Sequence, residues 1–175
     1  AGKNRIHHFD AASDESQRGR LLRIDEIRRG LAEGEFVLHY QPKINLRTGA
    51  VVGLEALVRW QHPTEGFLLP VHFIPLLDRH PLAVQLGSWV IDEALAQLSR
   101  WHVEGLRLHV SVNVDSQQLI DPDFVSRLIR QFDRYPGIDP TQLELEILET
   151  GALENLAQVA SLIERLSALG GLRPG

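Results

Sequence analysis

A chain of 175 residues, of which 43% are hydrophobic and 23% charged, is long enough to bury one sizeable core and has the composition of an ordinary globular protein. Its net charge of −5 gives no overall attraction to a nucleic acid polymer or a membrane surface, and no apolar run approaches the roughly 20 residues of a membrane span. The absence of cysteine excludes a disulfide framework and thiolate metal sites, and is consistent with a reducing compartment.

The first third of the chain predicts one helix and two strands after a polar start. Residues 1–16 are polar and end in Ala-Ala-Ser-Asp-Glu-Ser, which is typical of a linker. Apolar residues at helical spacing predict a helix over residues 17–34, with a glycine at its C-terminal stop. Alternating apolar and polar residues predict strands over 36–43 and 51–60, joined by a turn-like Asn-Leu-Arg-Thr-Gly segment.

Helices and strands then alternate along the rest of the chain. The predicted elements are a Gly- and Pro-rich loop over 61–70, short helical stretches up to residue 78, a helix over 86–103, a strand over 106–114, a helix from its cap at Ser116 to about residue 134, a turn over 135–140, a strand over 143–148 and a helix from about 153 to 169. This alternation favours parallel βα units in either a doubly wound sheet or a (β/α) barrel.

The polar residues inside the predicted strands decide between these two folds. In the strand that ends at Trp60, Glu55 and Arg59 share one face with Leu57, whereas the opposite face is apolar. The other three strands are divided in the same way. Helices cover both faces of a doubly wound sheet, so its strands should be apolar throughout. The single polar face therefore favours an α/β fold of the TIM-barrel type, with polar groups pointing inward near the C-terminal mouth.

Three oxygen-bearing side chains lie on these polar faces, and we expect each to be near the C-terminal end of its strand. They are Glu55, Asn113 and Glu146. A set of oxygen ligands without histidine or cysteine suits Mg²⁺ or Mn²⁺ better than Zn²⁺. Arg59 lies on the same face as Glu55, where its guanidinium could bind a phosphate with two hydrogen bonds. A metal, an arginine and carboxylates together indicate phosphoester hydrolysis.

Each of these residues also has an ordinary structural explanation. Glu55 could pair with Arg59, and Asn113 could cap the helix that follows its strand. Glu144 and Glu146 could face water at an exposed sheet edge. Taken together these explanations are less convincing, because three strands repeat the same arrangement of polar residues.

The histidines and tryptophans indicate structure rather than chemistry. None of the eight histidines belongs to a spacing that repeats a metal-ligand pattern. His62 lies in a His-Pro turn after the second strand and is interpreted as structural. Trp89 and Trp101 are expected to pack a helix and not to stack on nucleotide bases.

Several motifs in the chain resemble the EAL domain family. Glu55-Ala56-Leu57 lies within Gly-Leu-Glu-Ala-Leu-Val-Arg-Trp and is followed by His62-Pro63. The further matches are Tyr40-Gln41-Pro42, Gly66, Pro70, Phe73-Ile74, Ser111-Val-Asn113 and Leu145-Glu146-Ile147-Leu148-Glu149. They run from about Leu21 to Gly170 in the order and spacing of the family. That family hydrolyses cyclic di-GMP, a bacterial second messenger.

The resemblance implies a role for individual residues. The implied metal ligands, for Mg²⁺ or Mn²⁺, are Glu55, Asn113 and Glu146. Glu149 would brace a loop over the metals and would be catalytic together with the two liganding glutamates. Arg59 would contact the phosphate of the substrate, and Gln41 would line the nucleotide site.

The resemblance also implies a setting for the domain. Residues 1–16 begin with a short stretch similar to the tail of a GGDEF domain, and residues 17–175 would be the EAL domain. Cyclic di-GMP would be the ligand, and a fused GGDEF domain or a second copy of the chain would be the protein partner. We expect a bacterial cytoplasmic protein that binds no nucleic acid polymer and has no membrane segment.

The match departs from the family after Gly170. There the family continues into an Asp-Asp-Phe-Gly segment that supplies further metal ligands, and later into a catalytic lysine, another glutamate and a Gln-Gly region. A full barrel takes about 250 residues, and the lack of methionine suggests a piece of a longer protein. We therefore expect a truncated domain of about four strands, inactive by itself, whose open sheet edges lead to self-association.

Two interpretations of function remain open at this point. The first is a cyclic di-GMP phosphodiesterase domain present as a partial copy. The second is a non-catalytic module that binds cyclic di-GMP or a protein partner. Asp115 stands where the family usually has serine, and its charge could weaken nucleotide binding or could merely cap a helix.

Overall fold

A computed structural model of the chain describes residues 11–147, which form a mixed sheet flanked by helices. In chain order the elements are α1 (Ala11–Glu33), β1 (Phe36–Ile44), β2 (Val51–His62), β3 (Gly66–Leu68), two 3₁₀ turns (Pro70–His72 and Ile74–Leu77), α2 (Pro81–Val103), β4 (Val110–Val114), α3 (Ser116–Ile120), α4 (Phe124–Asp133), a third 3₁₀ turn (Pro140–Gln142) and β5 (Leu143–Ile147). The sheet order is β1-β2-β4-β5, with β3 paired to β2. This confirms the α/β class.

The first two strands form a hairpin, so the prediction of parallel βα units throughout is wrong for β1. β1 pairs antiparallel with β2, whereas β2–β4 and β4–β5 are parallel. The connection between β1 and β2 is far shorter than the dozen or so residues that a parallel crossover needs. Asn45 closes the turn, because its side chain accepts hydrogen bonds from the backbone N–H groups of Arg47 and Thr48.

Three further predictions differ from the structure at element boundaries. Residues 11–16, predicted as linker, belong to α1, because the segment has no glycine or proline to interrupt a helix. The loop predicted over 61–70 contains β3, which pairs with the end of β2 through a turn at Gly66 (φ 75°). Helix α2 begins at Pro81, the first-turn position that proline favours, and not at residue 86.

The helix predicted over residues 116–134 is two helices, α3 and α4. Pro122 interrupts it, since proline lacks an N–H group and disfavours helical backbone in the preceding residue. The cap of α3 is Asp115 rather than Ser116, because the Asp115 side chain accepts a hydrogen bond from the backbone N–H of Gln117. The helix predicted over 153–169 lies outside the described residues.

The apolar face of the sheet packs against helices, as the alternation predicts. Val110 and Val112 of β4 are fully buried in one cluster with Leu95 and Leu98 of α2 and Leu128 of α4. Burial of such side chains stabilises the fold by about 1.5–3 kcal/mol each. The polar face is open by comparison, with Gln41 and Asn113 exposed to solvent.

A second apolar cluster attaches α1 to one end of the sheet. Ile24 and Ile27 of α1 are buried with Phe36, Trp60 and Phe73. The rings of Phe36 and Trp60 are stacked with their centroids 5.1 Å apart. The cluster includes the first residue of β1 and a residue near the end of β2, so it holds α1 against both strands.

The two tryptophans of α2 pack as predicted. Trp89 lies against both apolar clusters, and Trp101 meets the ring of Tyr40 edge-to-face at 4.9 Å. No helix within residues 11–147 combines the length and the hydropathy needed to cross a membrane.

The sheet curves toward its polar face. The ammonium group of Lys43 on β1 contacts the carboxylate of Glu146 on β5, although β2 and β4 lie between these strands. On a flat sheet the two strands would be three spacings of about 4.8 Å apart, with side chains standing perpendicular to the sheet. The contact therefore requires a concave polar face.

Candidate functional site

The strand register arranges the polar residues in rows across the concave face. Gln41 pairs with Glu55, and Glu55 pairs with Ser111 on β4. One step farther along the parallel strands, Asn113 pairs with Glu146. Successive rows on one face are separated by about 6.6 Å, two residues of strand. Four of the predicted site residues thus occupy two adjacent rows.

Glu55 and Asn113 are in direct contact. The Asn113 side-chain nitrogen Nδ2 donates a hydrogen bond to Glu55 Oε1 at 2.9 Å. Half a turn of the amide would bring the Asn113 carbonyl oxygen to the same place, because the two ends of the group have nearly the same shape. Glu55 thus presents a carboxylate oxygen at this spot, and Asn113 would present its amide oxygen there after such a turn.

The position of Glu55 along its strand differs from the prediction. β2 continues to His62, so Glu55 lies in the middle of the strand and not near its C-terminal end. Asn113 and Glu146 are each the penultimate residue of their strands, as expected. Glu55 and Asn113 still meet, because register and not distance from the strand end determines which side chains lie side by side.

Glu146 forms an ion pair with Lys43. The Lys43 ammonium contacts Glu146 and lies 3.3 Å from Glu144 Oε2. Partial burial would raise the pKa of Glu146, but the hydrogen bond and the charge of Lys43 hold that pKa below its ordinary value of 4.5. Burial would likewise lower the pKa of Lys43, yet both glutamates raise it. The carboxylate is therefore ionised at neutral pH.

Arg59 does not pair with Glu55. Its Nη1 donates a hydrogen bond to the backbone oxygen of Val58 at 2.8 Å, and no acid in residues 17–147 forms an ion pair with it. The ordinary explanation for Glu55 and Arg59 is therefore wrong, and several guanidinium donors stay available to a ligand. Glu149, the remaining predicted site residue, lies outside the described residues.

Asp115 caps α3, which is one of the two roles suggested for it from the sequence. The Asp115 carboxylate accepts a hydrogen bond from the Gln117 N–H at 2.7 Å. The side chain of Gln118 in turn accepts one from the Asp115 N–H at 3.3 Å, which completes a capping box. The proposal that Asn113 caps this helix is therefore wrong. The Asn113 side chain contacts Glu55 instead.

A cavity of about 540 Å³ adjoins the site and was missed from the sequence. It lies between the middle of β2, the 3₁₀ turns, α2 and α3. Apolar residues such as Val58, Ile74 and Leu86 form most of its wall, and Asp115 and Gln118 supply polar groups. Such a cavity suits a ligand with one flat apolar surface and a few polar atoms.

One glycine could have pointed to this cavity. Gly87 lies inside α2, where glycine is unfavourable, and a Cβ there would come within 2.1 Å of the Gln118 amide. Helix α2 therefore needs glycine to approach Gln118. The amide nitrogen of Gln118 is buried and has no hydrogen-bond partner among the described residues.

A cluster of acids around His62 is a second feature that sequence spacing did not reveal. Ligand atoms of Glu26, His62 and Glu65 lie within 4.8 Å of one another, close enough to hold a metal ion. However, His62 Nδ1 accepts hydrogen bonds from the backbone N–H groups of Thr64 and Glu65, which leaves the proton on Nε2. Arg23 already neutralises both acids, at 3.1 Å from Glu26 and 2.8 Å from Glu65. We therefore interpret the cluster as structural.

Comparison with known families agrees with the residues on the concave face. The model of the EAL domain matches residues 24–171. The chain belongs to the EAL domain family. Within that family its Glu55-Ala56-Leu57 segment lies on β2, where Glu55 meets Asn113 from the neighbouring strand.

Two relatives of this EAL domain are named as enzymes that act on cyclic di-GMP. The bifunctional diguanylate cyclase/cyclic di-GMP phosphodiesterase MucR of Pseudomonas aeruginosa is 32% identical over 170 residues, which are 97% of this chain and 25% of MucR. The cyclic di-GMP phosphodiesterase PdeR of Escherichia coli K12 is 37% identical over 144 residues, 82% of this chain and 22% of PdeR. This chain thus spans about a quarter or less of these relatives.

Solved EAL structures share the fold. The PaMucR phosphodiesterase in complex with c-di-GMP has 34% identity and a TM-score of 0.79, over 86% of this chain and 61% of that one. The FimX EAL domain of Xanthomonas citri, also in complex with c-diGMP, has a TM-score of 0.79 at 23% identity, over 90% of this chain and 61% of that one. At that identity the second match supports the fold alone.

Proposed function

We propose that this EAL domain binds cyclic di-GMP and belongs to an active site that hydrolyses it, with a divalent metal, to the linear dinucleotide. The observation that carries the proposal is the contact between Glu55 and Asn113, with Glu146 in register beside Asn113 on the next strand. The relatives named above are cyclic di-GMP phosphodiesterases.

The metal would be Mg²⁺ or Mn²⁺, held by Glu55, Asn113 and Glu146. The fit rests on the donor set, which offers two carboxylates and an amide oxygen on one concave face and no thiol or imidazole. When bound, such a cation polarises a phosphoryl group and lowers the pKa of a coordinated water.

The remaining residues would bind and orient the dinucleotide. Arg59 lies on the same strand face as Glu55 and is only half-buried, so its free N–H donors can reach a phosphate. Gln41 is exposed on β1 in register with Glu55 and would line the nucleotide site. The cavity beside Asn113 would receive a base, whose faces suit the apolar walls and whose edge would bond to the buried amide of Gln118.

Three predictions from the resemblance belong to the same proposal. Glu149 would brace a loop over the metals. We further propose that the protein pairs with a second copy or with a fused GGDEF domain, and that it acts in the bacterial cytoplasm.

One observation favours the second function, a cyclic di-GMP-binding module without catalysis. Lys43 already supplies a positive charge to Glu146 and Glu144. A site that neutralises its own acids can bind the dinucleotide without metal. The two functions therefore differ in whether binding depends on a divalent ion.

Calorimetric titration with cyclic di-GMP distinguishes them. For the phosphodiesterase lineage we expect binding at least tenfold tighter with Mn²⁺ than with a chelator, and E55Q should remove that dependence. E104Q is the matched control, because Glu104 is exposed at the end of α2, away from the concave face. Equal binding with and without Mn²⁺ supports the non-catalytic module, and the absence of binding in both conditions contradicts both functions.

A further inference from the structure

We propose that Lys43 is a positioning residue that acts as an internal counter-cation for Glu146 and competes with the divalent ion for this carboxylate. The inference rests on the proposed function, since it takes Glu146 to be a metal ligand. It adds a role for Lys43 that strand position alone would not suggest.

The contacts of Lys43 are specific and long-range. Its ammonium contacts Glu146 Oε1 and lies 3.3 Å from Glu144 Oε2, and both acids belong to β5. Lys43 itself belongs to β1, on the far side of β2 and β4. All three side chains are partly buried, so water screens the pair less than it would at an open surface.

The position opposite Lys43 leaves room for this reach. Lys43 pairs with Gly53 on β2, and the two residues lie on the same face of the sheet. Gly53 presents no side chain there, and even a Cβ would come within 3.3 Å of the backbone oxygen of His109. The space beside Lys43 on β2 is therefore free of a side chain.

The charges on the concave face explain why a cation is needed there. Glu55, Glu144 and Glu146 face the same concavity, and Arg59 lies beyond them toward the end of β2. Like charges held close together oppose one another's ionisation unless a positive group lies between them. Lys43 supplies that group when no divalent ion is present.

A divalent ion and the ammonium group compete for the same carboxylate. Glu146 Oε1 is bonded to Lys43, and a metal held jointly by Glu55, Asn113 and Glu146 would also bind that carboxylate. Two cations held this close repel each other, so binding of the metal would displace Lys43, and the apparent affinity for the ion is reduced in proportion to the share of molecules in the lysine-bound state. Removal of the lysine should raise that affinity and also destabilise the metal-free protein.

The test measures Mn²⁺ binding by electron paramagnetic resonance and unfolding in urea, both on the 175-residue chain. We expect K43M to bind Mn²⁺ about tenfold more tightly than the unsubstituted chain. Without metal K43M should unfold at a lower urea concentration, and Mn²⁺ should restore its resistance to urea. K43R keeps the charge and should change Mn²⁺ affinity less than threefold. R47M is the matched control, because Arg47 is exposed on the turn of the same hairpin.

The outcomes separate the inference from the function on which it rests. Equal Mn²⁺ affinity in K43M and the unsubstituted chain, or weaker binding in K43M, overturns the role of Lys43 but leaves the metal site in place. The absence of Mn²⁺ binding in every variant overturns the metal site and the inference together. If K43M does not give the circular dichroism spectrum of the folded chain, K43Q takes its place with the same expectations.

Discussion

Asn113 on β4 donates a hydrogen bond of 2.9 Å to Glu55 on β2. The two residues are 58 positions apart in the chain, and the parallel register of their strands brings them together. The contact joins an amide and a carboxylate on the concave face of a curved sheet. It is the geometric basis of the proposed metal site.

Substitution of Asn113 tests its part in metal binding. We expect N113A to weaken Mn²⁺ binding at least tenfold, a loss of about 1.4 kcal/mol, because one oxygen ligand is removed from the set. Stability should change little, since Asn113 is exposed. The Q61A variant, at an exposed position of β2, is the control for a generic loss of a polar strand residue. Unchanged Mn²⁺ affinity in N113A would contradict the assignment.

Two glycines of α1 should respond in opposite ways to alanine. A Cβ at Gly30 would lie 2.9 Å from Trp60 Nε1 and from Glu35 Oε2, two atoms that share a hydrogen bond, so G30A should lower the free energy of unfolding by about 1–3 kcal/mol. Gly19 has no atom within 4 Å of such a Cβ, and G19A should stabilise the helix by roughly 0.5–1 kcal/mol. Urea unfolding measures both, and a destabilised G19A would show that α1 does not extend past Gly19 as a regular helix.

The ion pair of Lys43 and Glu146 predicts how stability depends on pH. The pKa of Glu146 is lowered on folding, so its stabilising contribution is present above the ordinary value of 4.5 and is lost as pH falls through the lower folded pKa. The pKa of Lys43 is raised, so its contribution is present below 10.5 and is lost as pH rises above that value. The difference in unfolding free energy between the metal-free chain and E146Q should therefore be constant near neutral pH.

Urea unfolding between about pH 7 and pH 3 measures this dependence. We expect the advantage of the unsubstituted chain over E146Q to shrink as the solution becomes more acidic than the ordinary glutamate range. An advantage that persists unchanged at the acidic end would contradict the pairing, because a protonated Glu146 has no charge to offer Lys43.

Asp115 allows the cap of α3 to be separated from the charge near the nucleotide site. D115S keeps a capping hydroxyl and should leave the free energy of unfolding within about 0.5 kcal/mol, whereas D115A should lose about 1 kcal/mol. Since the carboxylate also lines the cavity, we expect D115S to bind cyclic di-GMP severalfold more tightly. Calorimetry gives the affinity, and equal affinity in D115S and the unsubstituted chain would limit Asp115 to its capping role.

The sequence was sufficient to predict which residues share the polar face. Side chains alternate strictly in a strand, so Glu55, Asn113 and Glu146 had to lie on one side once their segments were recognised as strands. The hairpin of β1 and β2 could also have been predicted, because its short connection excludes a parallel crossover. Pro122 likewise marks the break between α3 and α4.

The remaining features depend on distances that no local pattern encodes. The pair of Lys43 and Glu146 requires the curvature of the whole sheet, and the cluster of His62 with Glu26 requires α1 to pack beside the end of β2. The cavity depends on the approach of α2 to Gln118, for which Gly87 is an indirect sign at most.

Anomalous scattering from a crystal grown with Mn²⁺ and cyclic di-GMP tests the central claim most directly. We predict a manganese peak within coordination distance of oxygen atoms from Glu55, Asn113 and Glu146, with the ammonium of Lys43 displaced from Glu146. A peak at Glu26, His62 and Glu65 instead, or bound dinucleotide with no manganese on the concave face, would contradict the proposed site.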